Sequence, residues 1–282
     1  MNAESYRFQL GSFECLSLSD GSWDYPLKEL FANVPAERVQ ELLQQHNLPI
    51  DHITTPYTHL YVNTGEHCIL VDMGAGGLLG PRTGKLLHSM RAAGIEPQQI
   101  DTIVITHAHP DHIGGALDQK GKLVFSEAAY YIADDEWRFW FSEAPVARVP
   151  GWFVSSARKA LESIRDRVGL VGGESRIVPG IRVIPAPGHT PGHMVVSVSS
   201  EDEQLLYISD TAVHPFHLEC LDWHPSYDIL PQAAKSTKRQ ILGWAAADRT
   251  LVIGQHLPPF PSLGTVAENG DGWQWQPIEI EK

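Results

Sequence analysis

The chain has 282 residues, 43% of them hydrophobic and 20% charged, with a formal net charge of −13. That length suits one large domain or two small ones with a sizeable core. The acidic balance repels phosphate backbones, so no nucleic-acid partner is expected, and no apolar run is long enough to suggest a membrane span.

The N-terminus "MNAESYRFQLGSFECLSL" has no basic segment followed by an apolar stretch. No signal peptide is therefore expected, and a cytoplasmic location is the default. Residues 6–20 read as one or two strands with "SDGS" as the following turn. Val39, Leu42 and Leu43 share a face in "PAERVQELLQQHNL" (35–48), a helix that Pro35 is placed to start. "THLYVNTGEHCILVDMG" (58–74) predicts a hairpin turning at "NTGEH", with Cys68 in its apolar second arm. Cys15, Cys68 and Cys220 have no paired spacing, hence neither a disulfide framework nor a thiolate zinc site. A helix is expected over 83–95, stopped by Gly94, and a buried strand over "IDTIVITH" (100–107).

Further on, "KLVFS" reads as a strand and "SEAAYYIADDEWRFWF" as a helix opened by Ser126. Residues 154–168 predict a strong helix. "IRVIPAPG", "HMVVSVSS" and "QLLYISD" predict strands, 231–248 a helix, "RTLVIGQH" a strand and "WQWQPIEI" a last strand. There are no repeats and no Gly/Ser-rich linker. Strands alternate with helices but hairpins also occur, which suggests mixed sheets with helices outside in one α/β domain spanning 1–282.

"ITHAHPDHIGG" (105–115) places His107, His109, Asp111 and His112 within six positions. Three imidazoles and a carboxylate so close would repel or strain one another unless they bind something. Other apolar strands end in His189, Asp210 and His256, so separate strands deliver metal-capable side chains where the chain leaves a sheet. Imidazole and carboxylate without thiolate suit Zn²⁺, Mn²⁺, Fe²⁺ or Co²⁺. A single zinc needs about three protein ligands plus water, so seven candidates are too many for one ion and right for two. Two ions about 3.5–4 Å apart can hold a bridging hydroxide at neutral pH and clamp a reacting oxygen.

The H-x-H-x-D-H run is the hallmark of the metallo-β-lactamase fold superfamily, which this sequence resembles from about residue 57 to 264. "LVDMGAG" with Asp72, "PGHTPGH" with His189, "ISD" with Asp210 and "GQH" with His256 follow in the expected order. The finer similarity, in "VDMGAGGLLGPRTGKLLHSMRAAGIEPQQIDTIVITHAHPDHIGG" and "HLPPFP", is to the branch holding methyl parathion hydrolase and N-acyl-homoserine lactonases. One departure is that relatives typically read H-L-x-F-P, whereas Leu257-Pro258-Pro259-Phe260-Pro261 is one residue longer, which reshapes that wall of a pocket. The resemblance implies an α/β fold: a four-layer αββα sandwich of two mixed β-sheets with outer helices, and a dinuclear site at one edge between the sheets. It implies that His107, His109 and His189 hold one ion, Asp111, His112 and His256 the other, and that Asp210 bridges both. Pro110 turns the chain between the two sets. Asp72 is expected to support the ligand loop by hydrogen bonds rather than to ligate, and His193 to be structural or to support a ligand.

The aromatic segment 134–153, with Trp137, Phe139, Trp140, Phe141, Trp152 and Phe153, predicts a helix burying its aromatic face, while some of these rings, Trp137, Trp140 and Phe141 first, are candidates for a substrate pocket, along with His214 and Phe260. His217, His224 and His59 read as loop or packing residues. The function expected is a dinuclear metal-dependent hydrolase of an ester-like bond, with a lactone first and an aryl ester or organophosphate triester second. Its two divalent ions are expected to be zinc, with manganese, iron or cobalt as alternatives. Turnover should rest on Asp111 and Asp210, the latter orienting the nucleophile and carrying a proton to the leaving group. Alternatives are a glyoxalase II-like thioester hydrolase, an iron-dependent oxidoreductase (disfavoured because His109 stands where flavodiiron relatives carry a carboxylate) and a non-catalytic metal-binding module. The partner expected is a small-molecule substrate. Residues 1–56 form an N-terminal extension packed on the core, which in similar enzymes helps to build a homodimer.

Overall fold

The computed structural model describes residues 4–144 and 148–280. Its strands form two seven-stranded sheets, each in sequential order. The first runs β1 (Ser5–Leu10), β2 (Phe13–Pro26), β3 (His52–Asn63), β4 (Cys68–Val71), β5 (Thr102–Val104), β6 (Ala129–Ala133) and β7 (Val168–Val171). The second runs β8 (Ser175–Val178), β9 (Ile181–Pro185), β10 (Met194–Ser200), β11 (Glu203–Tyr207), β12 (Leu251–Ile253), β13 (Leu263–Asn269) and β14 (Gly272–Pro277). Both sheets are mixed: β4 to β7 are parallel, as are β11 and β12, and the other neighbours are antiparallel.

The period of two along each strand sets the layers. Leu60, Val62, Ile69, Val71 and Val104 point inward to meet Val183, Val196, Val198, Leu205, Tyr207 and Ile253 of the other sheet. Their neighbours Tyr61, Leu70 and Ile103 face outward, where α3 (Leu86–Ala92), α5 (Asp134–Phe141) and α6 (Gly151–Ser163) cover them. On the far side Val195, Leu206 and Val252 pack under Ile241, Leu242 and Ala245 of α7 (Pro231–Ala247). The result is a four-layer αββα sandwich. In the N-terminal segment, β1 and β2 extend the first sheet. Beyond them α1 (Leu27–Leu30) and α2 (Ala36–Gln45) form a smaller apolar cluster with Val213, Phe216 and Trp223. Among the described residues no helix is long and apolar enough to cross a membrane.

Four expectations fail, each for a local reason. "SDGS" is not a turn but a bulge within β2, where the register against β3 shifts between Ser19 and Gly21. Gly21, at φ +104°, comes so close to Arg82 that a Cβ would lie 1.9 Å from its carbonyl oxygen. "KLVFS" makes only an isolated bridge, Leu123 with Leu117. The helix expected from Ser126 splits: the β-prone "AYYIA" becomes the buried parallel strand β6, and the helix starts at Asp134 with three acids in its first turn. β7 and β13 have no counterpart among the expected strands, and neither has the short β8. The first begins at the last residue of the helix expected over 154–168, which in the structure ends at Ser163. The second occupies a stretch with no strong alternation.

The bulge in β2 has a purpose. It turns the carboxylate of Asp20 inward, where it accepts from the N–H groups of Ala75 (2.8 Å) and Leu86 (2.7 Å). The long loop leaving β4 is thereby tied to β2 at both its ends. Asp20→Ala leaves two buried N–H donors unpaired, each worth about 1–3 kcal/mol. A loss of about 2–4 kcal/mol is expected, read as a lower urea midpoint with an unchanged slope.

Candidate metal centre

Four strand ends converge at one edge between the sheets. His107 follows β5, His189 follows β9, Asp210 lies in the short helical turn after β11, and His256 follows β12. His109 caps α4 (Pro110–Ile113), which carries Asp111 and His112, and Pro110 occupies its first position. All seven side chains are buried.

Their ligand atoms fall into interlocking groups, each within 4.8 Å: His107, His109 and His189; Asp111, His112 and His256; and His107, His112 and Asp210. Nε2 of His107 lies 3.1 Å from Nδ1 of His109, which is 2.9 Å from Nε2 of His189. Oδ2 of Asp111 is 3.6 Å from Nε2 of His112 and 3.3 Å from Nε2 of His256. Asp210 is shared. Its Oδ2 faces His189 (3.2 Å) and His107 (3.9 Å), and its Oδ1 faces His112 (3.3 Å) and His256 (3.5 Å). Ligands at about 2.0–2.1 Å around a tetrahedral cation stand roughly 3.3–3.4 Å from one another, so these separations fit. Nε2 of His109, Nε2 of His112 and Oδ1 of Asp210 are buried without a hydrogen-bond partner among the described residues. Buried polar atoms are rarely left so. For His112 and Asp210 those atoms face one another, so a divalent ion between them removes the deficit.

The outward nitrogens are held. Nδ1–H of His112 donates to Asp72 (2.8 Å), that of His189 to Asp228 (2.9 Å), and that of His256 to the Pro56 carbonyl (3.2 Å). Each bond fixes the tautomer that leaves the Nε2 lone pair inward. Asp72 also accepts from the N–H and hydroxyl of Thr106 (2.7 and 2.8 Å), tying β4 to β5 immediately before His107. Nδ1–H of His193 donates to the Ala186 carbonyl, and its Nε2 accepts the N–H of Asp210 at 3.2 Å. Asp72 and His193 thus touch ligands without joining the cluster.

Three supporting residues carry no signal in the sequence. Glu136, fully buried in α5, accepts from the N–H groups of Ala108 and Gly192, the Thr190 hydroxyl and the Trp140 indole. It thereby fixes the loops that carry His109 and His189. Gly192 packs so tightly there that a Cβ would meet the Glu136 backbone nitrogen at 2.1 Å. Asp228 orients His189, and the Gln255 amide donates to Asp111 at 3.2 Å. Nothing in their sequence neighbourhoods marks them, because each acts on a ligand or ligand loop far away along the chain.

The cluster opens into a cavity of about 490 Å³ whose walls include Trp23, Tyr25, Leu30, Tyr57, Trp152, Phe153 and Tyr227. Of the expected pocket rings, Trp152 and Phe153 at the end of the aromatic segment line it, and the others lie elsewhere. Trp137 and Phe141 face away, under the guanidinium of Arg165 at 5.1 and 5.2 Å. Trp140 is fully buried behind His109, anchored to Glu136. His214 is buried against Phe31 and Phe216, and the half-buried Phe260 is not among the wall residues. The correction is one of helix phase: α5 turns its aromatic face to the core, and the rings that line the cavity come from β2, β3, the start of α6 and, with Tyr227, the loop that carries Asp228. Residues 145–147, in the same expected aromatic segment, lie outside the described residues. His59 packs behind His112, ring centroids 6.4 Å apart, and His217 donates to the Leu30 carbonyl.

Burial, reinforced by neighbouring imidazoles, pushes His107 and His109 well below the usual histidine range. Burial also opposes charge on His256, but Asp210 and Asp111 override it and hold this imidazole up at about 9. His112 and His189 are raised against burial in the same way, by Asp111 and Asp210 and by Asp210 and Asp228 respectively. At pH 7 the metal-free protein therefore carries protons that a cation must expel. Affinity for Zn²⁺ should fall as pH drops below about 9, with proton release on binding. Calorimetry in two buffers of different ionisation heat checks this, and equal apparent heats would refute it.

The metallo-beta-lactamase superfamily model matches residues 55–256. In structure the chain is similar to AidC, a dizinc quorum-quenching lactonase solved in complex with a product, with a TM-score of 0.93 and 27% identity over the whole of both chains. It is also similar to the hydrolase AbOPH, with a TM-score of 0.92 and 28% identity, again over the whole of both chains. In sequence it is 23% identical to an N-acyl homoserine lactonase from Bacillus sp. over 117 residues, 42% of this chain and 40% of that one, so the match spans less than half of that lactonase. With a matching ligand pattern on a matching fold, the chain belongs to the metallo-beta-lactamase superfamily.

Proposed function

We propose that the protein is a dinuclear metal-dependent hydrolase of a small, uncharged ester-like substrate, a lactone first and an aryl ester or organophosphate triester second. The carrying observation is the Asp210 carboxylate, with one oxygen turned to each ligand trio at the floor of an aromatic cavity. His107, His109 and His189 would hold one ion, Asp111, His112 and His256 the other. Such a pair supplies Lewis acidity and hydroxide at neutral pH. Asp210 would orient the attacking oxygen from the floor and would pass a proton to the leaving oxygen. Asp72, Asp228 and Glu136 keep the imidazoles from turning. The aromatic walls exclude water and position the apolar part of the substrate.

Charge in the cavity narrows the substrate class. Among the described wall residues there is no lysine or arginine, while Asp24 and Glu29 lie at the rim. A glutathione thioester or a β-lactam brings carboxylates that find no lysine or arginine among those walls. AidC is described as a dizinc lactonase and AbOPH as a hydrolase, which supports the same choice.

Purified protein should contain divalent metal and hydrolyse lactones, aryl esters or phosphotriesters in preference to thioesters and β-lactams, with loss on chelation. Asp111→Asn should weaken the second site and lower kcat about 10²-fold or more. Full turnover with full metal content in that variant sinks the mechanism.

A further inference from the structure

Tyr25 of β2 and Tyr57 of β3 share a wall of the cavity, with their hydroxyl oxygens 2.5 Å apart. The Tyr57 ring stands 4.8 Å from His256 and the Tyr25 ring 6.5 Å, so the pair flanks the Asp111, His112, His256 trio. Two hydroxyls carry two protons, and their mutual bond uses one. Among the described residues neither hydroxyl has any other partner. Glu29, the rim carboxylate nearest in the chain to Tyr25 on its C-terminal side, is already taken by the Tyr227 hydroxyl. Tyr57 is 1% exposed, whereas Tyr25 is half-buried. Either hydroxyl can donate in their mutual bond, and taking the more exposed Tyr25 as the acceptor leaves its own proton for the cavity.

We propose that Tyr25, held and polarised by Tyr57, donates a hydrogen bond to the carbonyl or phosphoryl oxygen of the substrate. The inference rests on the ester-like reading above, since it is in such bonds that this oxygen gains charge as the centre is attacked. A fixed donor in dry surroundings is worth most at that moment, because it needs no reorganisation. Burial, with Asp111 adding to it for Tyr25 and the partner phenol for Tyr57, holds both phenols well above the usual tyrosine range, so both stay protonated at working pH. A donor that itself accepts a bond is strengthened by it, so the two hydroxyls act in series rather than in parallel.

Series action gives a signature that a packing role does not. With 4-nitrophenyl acetate and γ-hexalactone as substrates, Tyr25→Phe should lower kcat about 10²-fold. Tyr57→Phe should cost only about three- to tenfold, and the double variant no more than Tyr25→Phe alone. Metal content and melting temperature should match the wild type in all three. The second readout needs no turnover. The infrared carbonyl band of N-hexyl-2-pyrrolidinone, an amide probe that resists hydrolysis, should move to lower frequency in the metal-loaded wild type and lose much of that shift in Tyr25→Phe. Equal losses from the two single variants, a double loss equal to their product, or a wild-type band that stays at its free position overturns the proposal. A wild type whose band shift is lost in Tyr25→Phe but which hydrolyses nothing in the panel supports the donor and refutes the hydrolase reading. One that hydrolyses without shifting the band refutes the donor alone.

Discussion

The structure depends on one electrostatic constraint: five imidazoles and two carboxylates, all buried, share a few ångströms of space at the edge of a sandwich. In a dry protein that arrangement is unstable unless opposite charges alternate within it. Asp210 supplies the alternation, facing four imidazoles with two oxygens. Everything around the cluster serves to keep that geometry when no ion is there to impose it.

The supporting shell is built mostly from buried acids that reach across the fold. Asp20 joins β2 to the loop after β4, Asp72 joins β4 to β5 and to His112, Glu136 joins α5 to two ligand loops, and Asp228 braces His189. Each accepts from at least one backbone N–H or imidazole that would otherwise be unpaired. Placing carboxylates behind imidazoles also raises their basicity toward a cation.

Much of this is legible in the sequence, for definable reasons. Ligands are read from local spacing and from the ends of apolar runs, both of which are one-dimensional signals. Hence spacing and strand ends alone mark His107, His109, Asp111, His112, His189, Asp210 and His256, and the fold brings the seven together. The alternation of strands with helices, broken by hairpins, gives mixed sheets with helices outside, and the four-layer order enters only with the family resemblance. What the sequence hides is decided by partners distant along the chain. Glu136 looks like one acid among three at a helix start, and only the approach of Ala108 and Gly192 gives it a task. The cavity wall is misplaced because helix phase decides which rings of "EWRFWF" face the core, and a dense aromatic run does not reveal its phase. Tyr25 and Tyr57 come from β2 and β3, outside the ligand motifs, and nothing local in the sequence shows that the two meet.

The strictly sequential sheets have a consequence for how the molecule holds together. His107, His109, Asp111 and His112 come from the first sheet's half of the chain, and His189, Asp210 and His256 from the second. Each ligand trio spanning one prospective ion draws two members from the first half and one from the second. Ions seated there would act as twin staples between two consecutive pieces of polypeptide, closing long loops of the unfolded chain much as a cross-link does. The same atoms that perform the chemistry would then clamp the two leaves of the sandwich, and loss of metal would loosen the molecule along the seam where the substrate enters.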